Sequence, residues 1–201
     1  MYLYIKKLIL PIALLAISGC TQPQQLGVNA SPSKLKRMSL NSNGMLSIIN
    51  NFRATNKICR GATRPLIWSK NLENIAIEHS MDMAVHQKLT HIGSNTNFDA
   101  TAMKFKLNHG SSAVERVAYS GYHTYPKMPM AENITYNSSK DEKESLLRAL
   151  KDFASDAPHC KILIDPKYSD IGAAYAVGKD GKKYWTLDFA AAPRVQKTNS
   201  F

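Results

Sequence analysis

The chain has 201 residues with 26 Lys and Arg against 15 Asp and Glu, a formal charge of +11. It shows no internal repeat and no zinc-finger or RNA-binding signature, which turns the reading away from nucleic acid. The basic charge instead suits anionic lipid headgroups or other acidic envelope polymers, or else reflects nothing more than a soluble surface.

Lys6 and Lys7 precede an apolar run from Leu8 to Ile17 that is too short to cross a bilayer as a helix. Residues 1–19 therefore read as a signal peptide. The next residues, Ile17-Ser18-Gly19-Cys20, resemble a bacterial lipobox, in which the cysteine thiol is acylated and the bond before it is cut. One acyl chain binds a membrane only marginally, so a durable anchor at Cys20 needs the two or three chains that a lipobox implies. Thr21 follows where Asp would retain a Gram-negative lipoprotein at the inner membrane, so the outer membrane is the expected destination in such a host. Removal of Lys6 and Lys7 with the signal leaves 24 basic residues against 15 acidic ones, a charge of +9.

From Cys20 to Asn43 the chain is rich in Gln, Ser, Asn and Pro and reads as a flexible tether. A single domain is expected over residues 44–193, followed by a disordered tail at 194–201. With Cys20 lipidated, Cys59 and Cys160 form an even pair in an oxidising compartment, which favours a disulfide over two free thiols.

Met45, Ile48, Ile49 and Phe52 repeat at helical spacing, predicting a first helix that ends before Cys59. Ser69 is placed to cap a second helix, running to about Lys88, with Leu72, Ile75, Ala76 and Met83 on one side. His79 falls on that stripe and reads as a core-edge histidine satisfied by a hydrogen bond, whereas His86 is expected in solvent. Short helices are predicted at Ala100 to Leu107 and Ala113 to Tyr119, with Gly121 ending the run among long loops. Asn133 to Tyr136 reads as a strand, and Ser139 with Glu142 as a capping box for a helix carrying Leu146, Leu147, Leu150 and Phe153. Asp170 to Val177 and Lys183 to Phe189 form a hairpin about Gly178-Lys179-Asp180-Gly181, with Trp185, Leu187 and Phe189 alternating onto a buried face. This order of elements predicts an α+β fold in which helices flank a small sheet.

Between Leu46 and Phe189, short segments occur in an order that resembles the bacterial branch of the CAP superfamily of cysteine-rich secretory, antigen 5 and pathogenesis-related proteins. They include Ile49-Asn50-Asn51-Phe52-Arg53, Pro65-Leu66-Ile67-Trp68, Thr90-His91-Ile92-Gly93, Gly121-Tyr122, Ala131-Glu132-Asn133-Ile134, Pro158-His159, Tyr168-Ser169-Asp170-Ile171-Gly172 and Tyr184-Trp185. The resemblance implies an alpha-beta-alpha sandwich with a cleft lined by two histidines and two acidic residues. His91, Glu132 and His159 match three of those positions. Asp156, three residues after Phe153, matches the fourth, where animal and plant members have an acid three residues after a tryptophan and many bacterial members have serine. Arg116, ahead of Gly121-Tyr122, matches an arginine common there and reads as a structural ion pair.

Such a set implies either a buried hydrogen-bond network or a divalent metal such as zinc held by His91 and His159, which are two ligands where catalytic zinc usually has three. No serine nucleophile with a positioned base is evident, and paired cysteines are not available as nucleophiles. The expected function is therefore an envelope module that binds a lipid, peptide, glycan or protein in a His- and acid-lined groove. The alternative is a zinc-assisted hydrolase of peptides or envelope polymers.

Overall fold

The computed structural model describes residues 40–61, 63–122 and 129–192. The expected signal peptide, Cys20, the tether up to residue 39 and the tail at 194–201 lie outside them. Among the described residues six helices and four strands form three layers, the alpha-beta-alpha sandwich expected from the sequence.

The first helix, α1 (Ser42–Thr55), starts where the Asn41 side chain accepts the Gly44 N–H at 2.9 Å, and it buries Met45 and Ile49. Arg53 lies on the same stripe, a polar residue the apolar periodicity does not reveal. Its guanidinium donates to Leu163 O at 2.7 Å and Arg64 O at 2.8 Å, and burial pulls its pKa down to about 10. Strand β1 is only Ile67–Trp68. Helix α2 (Lys70–His86) is capped by Ser69 as predicted and ends at Gln87, whose left-handed backbone (φ 52°) closes the last turn.

Helices α3 (Ala100–Phe105) and α4 (Ala113–Tyr119) interrupt the long connection beyond α2. Carboxylates organise this segment in place of a core. Asp82 accepts from Ser94, Glu78 from Thr101, and Asp99 from Ser111, Asn95 and the first turn of α3. Ser112 and Glu115 form a reciprocal capping box at α4, and these bonds hold the Glu115 carboxyl down at about 2.

Strand β2 (Met130–Asn137) is twice the expected length, because its pairing with the last strand continues past both ends of the apolar core of the segment. Helix α5 (Glu142–Ser155) is capped by Asp141, which accepts the Glu144 N–H at 2.7 Å. The expected Ser139–Glu142 box does not form: Ser139 donates to Glu144, and Glu142 instead binds the Leu40 amide and the Tyr175 hydroxyl. Helix α6 (Ala157–Ile164), not predicted as a separate helix, begins at the Asp156 cap with Pro158 in its first turn, where the missing N–H of proline costs nothing. The hairpin of β3 (Asp170–Val177) and β4 (Lys183–Ala190) is as predicted.

The sheet order is β1-β3-β4-β2, with β1 parallel to β3 and the other pairs antiparallel. Trp185, Leu187 and Phe189 face α1, α5 and α6, where they join Met45, Ile49, Leu146, Leu150 and Phe153 in the main core. Each large apolar side chain so buried stabilises the fold by roughly 1.5–3 kcal/mol. The other face of β4 is also buried: Tyr184, Thr186, Asp188 and Ala190 lie beneath α2. Gly172 permits this approach, since a Cβ there would lie 2.0 Å from the Glu73 nitrogen.

Cys59, beyond the end of α1, is disulfide-bonded to Cys160 in α6. The bridge ties the end of α1 to the helix that carries His159. It closes a loop of 101 residues, for which loop closure alone predicts on the order of 4–5 kcal/mol of stabilisation.

Candidate functional site

Glu132 is the hub. It lies on the edge strand β2 with its side chain 2% exposed, and its two oxygens are divided between two partners. Oε1 meets His91 Nδ1 at 2.7 Å and Oε2 accepts from Arg116 Nη2 at 2.7 Å. Arg116 is itself fully buried in α4; it also donates to the carbonyls of Ser111 and His91, fixing the loop that carries the imidazole. Burial alone would raise the Glu132 pKa. The His91 hydrogen bond and the Arg116 charge outweigh burial and leave it below the ordinary value, so this carboxyl is ionised.

An ionised carboxylate only accepts hydrogen bonds, so His91 Nδ1 must carry the proton. A neutral His91 then presents Nε2 as an acceptor. Its side chain is 51% exposed, so the imidazole is fixed at its base and open at its tip. Gly93 completes the loop: a Cβ at that position would lie 2.2 Å from Asp99 Oδ2.

His79 backs the same carboxylate from α2. Its Nε2 donates to Thr90 O at 2.7 Å and lies 3.8 Å from Glu132 Oε1. Burial lowers its pKa, so it is neutral, as expected of a core-edge histidine. His86 is exposed, as expected, and its Nδ1 donates to Asp82 O at 2.8 Å while its ring meets Phe98 edge-on.

The sequence did not single out Asp188. It is Glu132's cross-strand partner on β4 and is 0% exposed, and neither of its oxygens meets a protein donor. The group it meets is Glu132, and two carboxyls bond only when one of them is protonated. Burial first, and the Glu132 charge second, raise the Asp188 pKa well above its ordinary value. Since Arg116 and His91 stabilise the anion on Glu132, the proton belongs to Asp188. Glu78 is also raised by burial.

The expected four-residue set divides into two pairs. His159 Nδ1 lies 2.8 Å from Asp156 Oδ1 on the first turn of α6, and its ring packs 5.6 Å from Phe153. Among the described residues no hydrogen bond or ion pair joins this pair to His91 or Glu132. The reason is the pleat: successive β2 residues face opposite sides of the sheet, so Glu132 turns toward α2 and α4 while Asn133 turns toward α6, where it donates to His159 O at 3.1 Å. Among the described residues the two pairs are linked through adjacent positions of one edge strand, Glu132 and Asn133.

His91 and His159 each have one ring nitrogen on a carboxylate, which orients an imidazole without occupying its other nitrogen. Among the described residues no cluster of three or more His, Cys, Asp or Glu is arranged to hold a metal. A separate hollow of about 440 Å³ lies between α1 and α5, lined by Ile48, Phe52 and Leu147 with Lys143 at its margin, and it borders neither histidine.

This fold is similar to that of an outer surface protein of Borrelia burgdorferi, with 17% identity, a TM-score of 0.52, and 74% of this chain and 90% of that chain covered. It is also similar to a cysteine-rich secretory protein of Staphylococcus aureus (16% identity, TM-score 0.42, 74% and 37% covered). A third similar structure is the venom allergen-like protein 4 of Schistosoma mansoni (13% identity, TM-score 0.44, 76% and 88% covered). None of the curated proteins matches the chain by sequence. The cysteine-rich secretory protein family matches residues 46–189, from α1 to the end of the sheet. With the three-layer architecture and a match over most of its length, the chain belongs to the cysteine-rich secretory protein (CAP) family.

Proposed function

We propose that this chain is a bacterial lipoprotein, anchored through Cys20 outside the cytoplasm, whose CAP domain binds a ligand at His91. The lipobox-like Ile17-Ser18-Gly19-Cys20, the family's secretory character and the Cys59–Cys160 disulfide support the location. The observation that carries the binding role is the half-exposed His91 ring, locked by its Nδ1 to a buried, ionised Glu132. Such a ring offers one fixed acceptor nitrogen to a donor on a peptide, glycan or lipid headgroup. It costs little conformational entropy to engage, because its orientation is already set.

The test compares the mature chain with its His91→Ala variant. Both are used to capture ligand from cell-envelope extract, and both are titrated with zinc by calorimetry. The binding reading predicts a bound species that His91→Ala loses while folding is unchanged, with no stoichiometric zinc uptake. Stoichiometric zinc, together with zinc-dependent hydrolysis abolished in the variant, would replace it with the hydrolase reading.

A further inference from the structure

One end of the sheet combines exposed apolar side chains, unburied lysines and the point where the tether joins the domain. Val177 and Lys183 are cross-strand partners there, next to Asn137 at the end of β2. Val177 is 56% exposed and Tyr136 is 42% exposed. Lys182 sits 4.5 Å over the Tyr136 ring, while Lys179 at the hairpin tip and Lys140 beside it are exposed. Gly178 lies against Ala84, so the end of α2, with exposed Val85, Lys88 and Leu89, adjoins the same tip. Asp180 is the acid of the hairpin turn, and it is already engaged by Lys182 and by the Tyr184 hydroxyl.

The chain enters the domain at this end too. The Leu40 amide donates to Glu142 Oε2 at 2.7 Å, and Tyr175, two residues before Val177, donates to Glu142 Oε1 at 2.7 Å. Lys183 reaches across to the carbonyls of Ser139 and Lys140 just ahead of α5. Cys20 precedes Leu40 by twenty residues. An anchor at Cys20 would join the domain through Leu40, at this end of the sheet rather than at the His91 loop at the other end of β2.

We propose that the β3–β4 hairpin end, with Tyr136, Val177, Lys179 and Lys182 at its centre, is the face on which the domain rests against an anionic phospholipid bilayer. Lysines supply attraction to the headgroups, and the apolar side chains between them enter the interface. Docking in this way keeps His91 directed away from the membrane. The orientation rests on the anchored reading above, whereas the affinity of the face for lipid does not.

The test uses the chain from residue 20 onward with Cys20→Ser, so that no acyl chain is attached. Its co-sedimentation is measured with vesicles of phosphatidylglycerol and phosphatidylcholine, and with phosphatidylcholine alone. Binding confined to the anionic vesicles and weakened by salt is expected. Lys179→Glu with Lys182→Glu should lower the partition coefficient at least about tenfold, whereas Lys104→Glu with Lys106→Glu at the C-terminal end of α3 should change it less than about twofold. Near-ultraviolet circular dichroism checks that both variants keep their packing. Equal losses from the two pairs, binding indifferent to the hairpin reversal, binding to neutral vesicles, or retention by soluble polyphosphate without partition to vesicles would each overturn the proposal. Metabolic labelling of Cys20 with radioactive palmitate tests the anchor separately, so a missing anchor and a missing lipid face give different results.

Discussion

Replacing Asp188 by Asn preserves the shape of the side chain and supplies permanently the hydrogen that the acid must otherwise take from solvent. In the wild type this carboxyl is fully buried, opposite the ionised Glu132, with no protein donor to either oxygen. Burial and then the Glu132 charge raise its folded-state pKa. A carboxyl raised in this way favours folding most below its unfolded pKa of roughly 3.9, and its contribution declines as pH climbs toward the folded value, by about 1.4 kcal/mol per pH unit. The stability of Asp188→Asn relative to wild type should therefore grow as pH rises above about 4, by at most about 1.4 kcal/mol per pH unit, until the folded pKa is passed. Glu78, raised by burial, tilts the wild-type curve in the same direction. His79, lowered by burial, tilts it the opposite way below about pH 6.5. Both are present in each protein and cancel in the difference. Urea unfolding followed by circular dichroism at several pH values gives the two curves. A difference that stays constant with pH would refute the placement of a proton on Asp188.

Arg116→Met leaves Glu132 buried without its ion-pair partner and should destabilise the domain by about 3–5 kcal/mol in denaturant titration; adding Glu132→Gln should restore part of that loss. Reduction should raise the intact mass by two hydrogens and lower stability by about 4 kcal/mol through release of the Cys59–Cys160 link, whereas identical masses would show the thiols to be unpaired. Gly172→Ala places a methyl 2.0 Å from the α2 backbone and should cost about 2–3 kcal/mol, read as a fall in melting temperature. His79→Ala removes a buried ring bonded to Thr90 and should loosen the His91 loop, seen as faster amide exchange from Thr90 to Gly93.

What the sequence made legible was whatever local chemistry decides. Helix α2 combines a serine cap with an unbroken apolar stripe, and the β3–β4 hairpin alternates cleanly about a glycine-bounded turn; both were predicted almost to their ends. Overlapping signals were harder. Ser139-x-x-Glu142 fits the capping pattern, but the helix starts two residues later on Asp141, because Glu142 is held by Leu40 and Tyr175, groups distant in sequence. Asp188 looked like an ordinary outward residue of an alternating strand, since nothing near it signals that α2, a hundred residues earlier, covers that face. Family resemblance named His91, Glu132, Asp156 and His159, and no local pattern could have done so. Their division into two pairs follows from the parity of 132 and 133 on β2, visible once the register is known. Arg116 was read as a structural ion pair, and its partner proves to be Glu132, whereas the burial of Arg53 was hidden, since a buried guanidinium is recognisable only when the carbonyls around it are in place.

Ligand capture at His91 depends most on Glu132 fixing the tautomer of the exposed imidazole. Two-bond proton–nitrogen correlation spectra of the histidine rings, assigned with His91→Ala, measure it directly. With the ring neutral, a protonated Nδ1 and an unprotonated Nε2 are predicted, with the preference lost in Glu132→Gln; a ring that carries its proton on Nε2, or one indifferent to the Glu132 substitution, would contradict this.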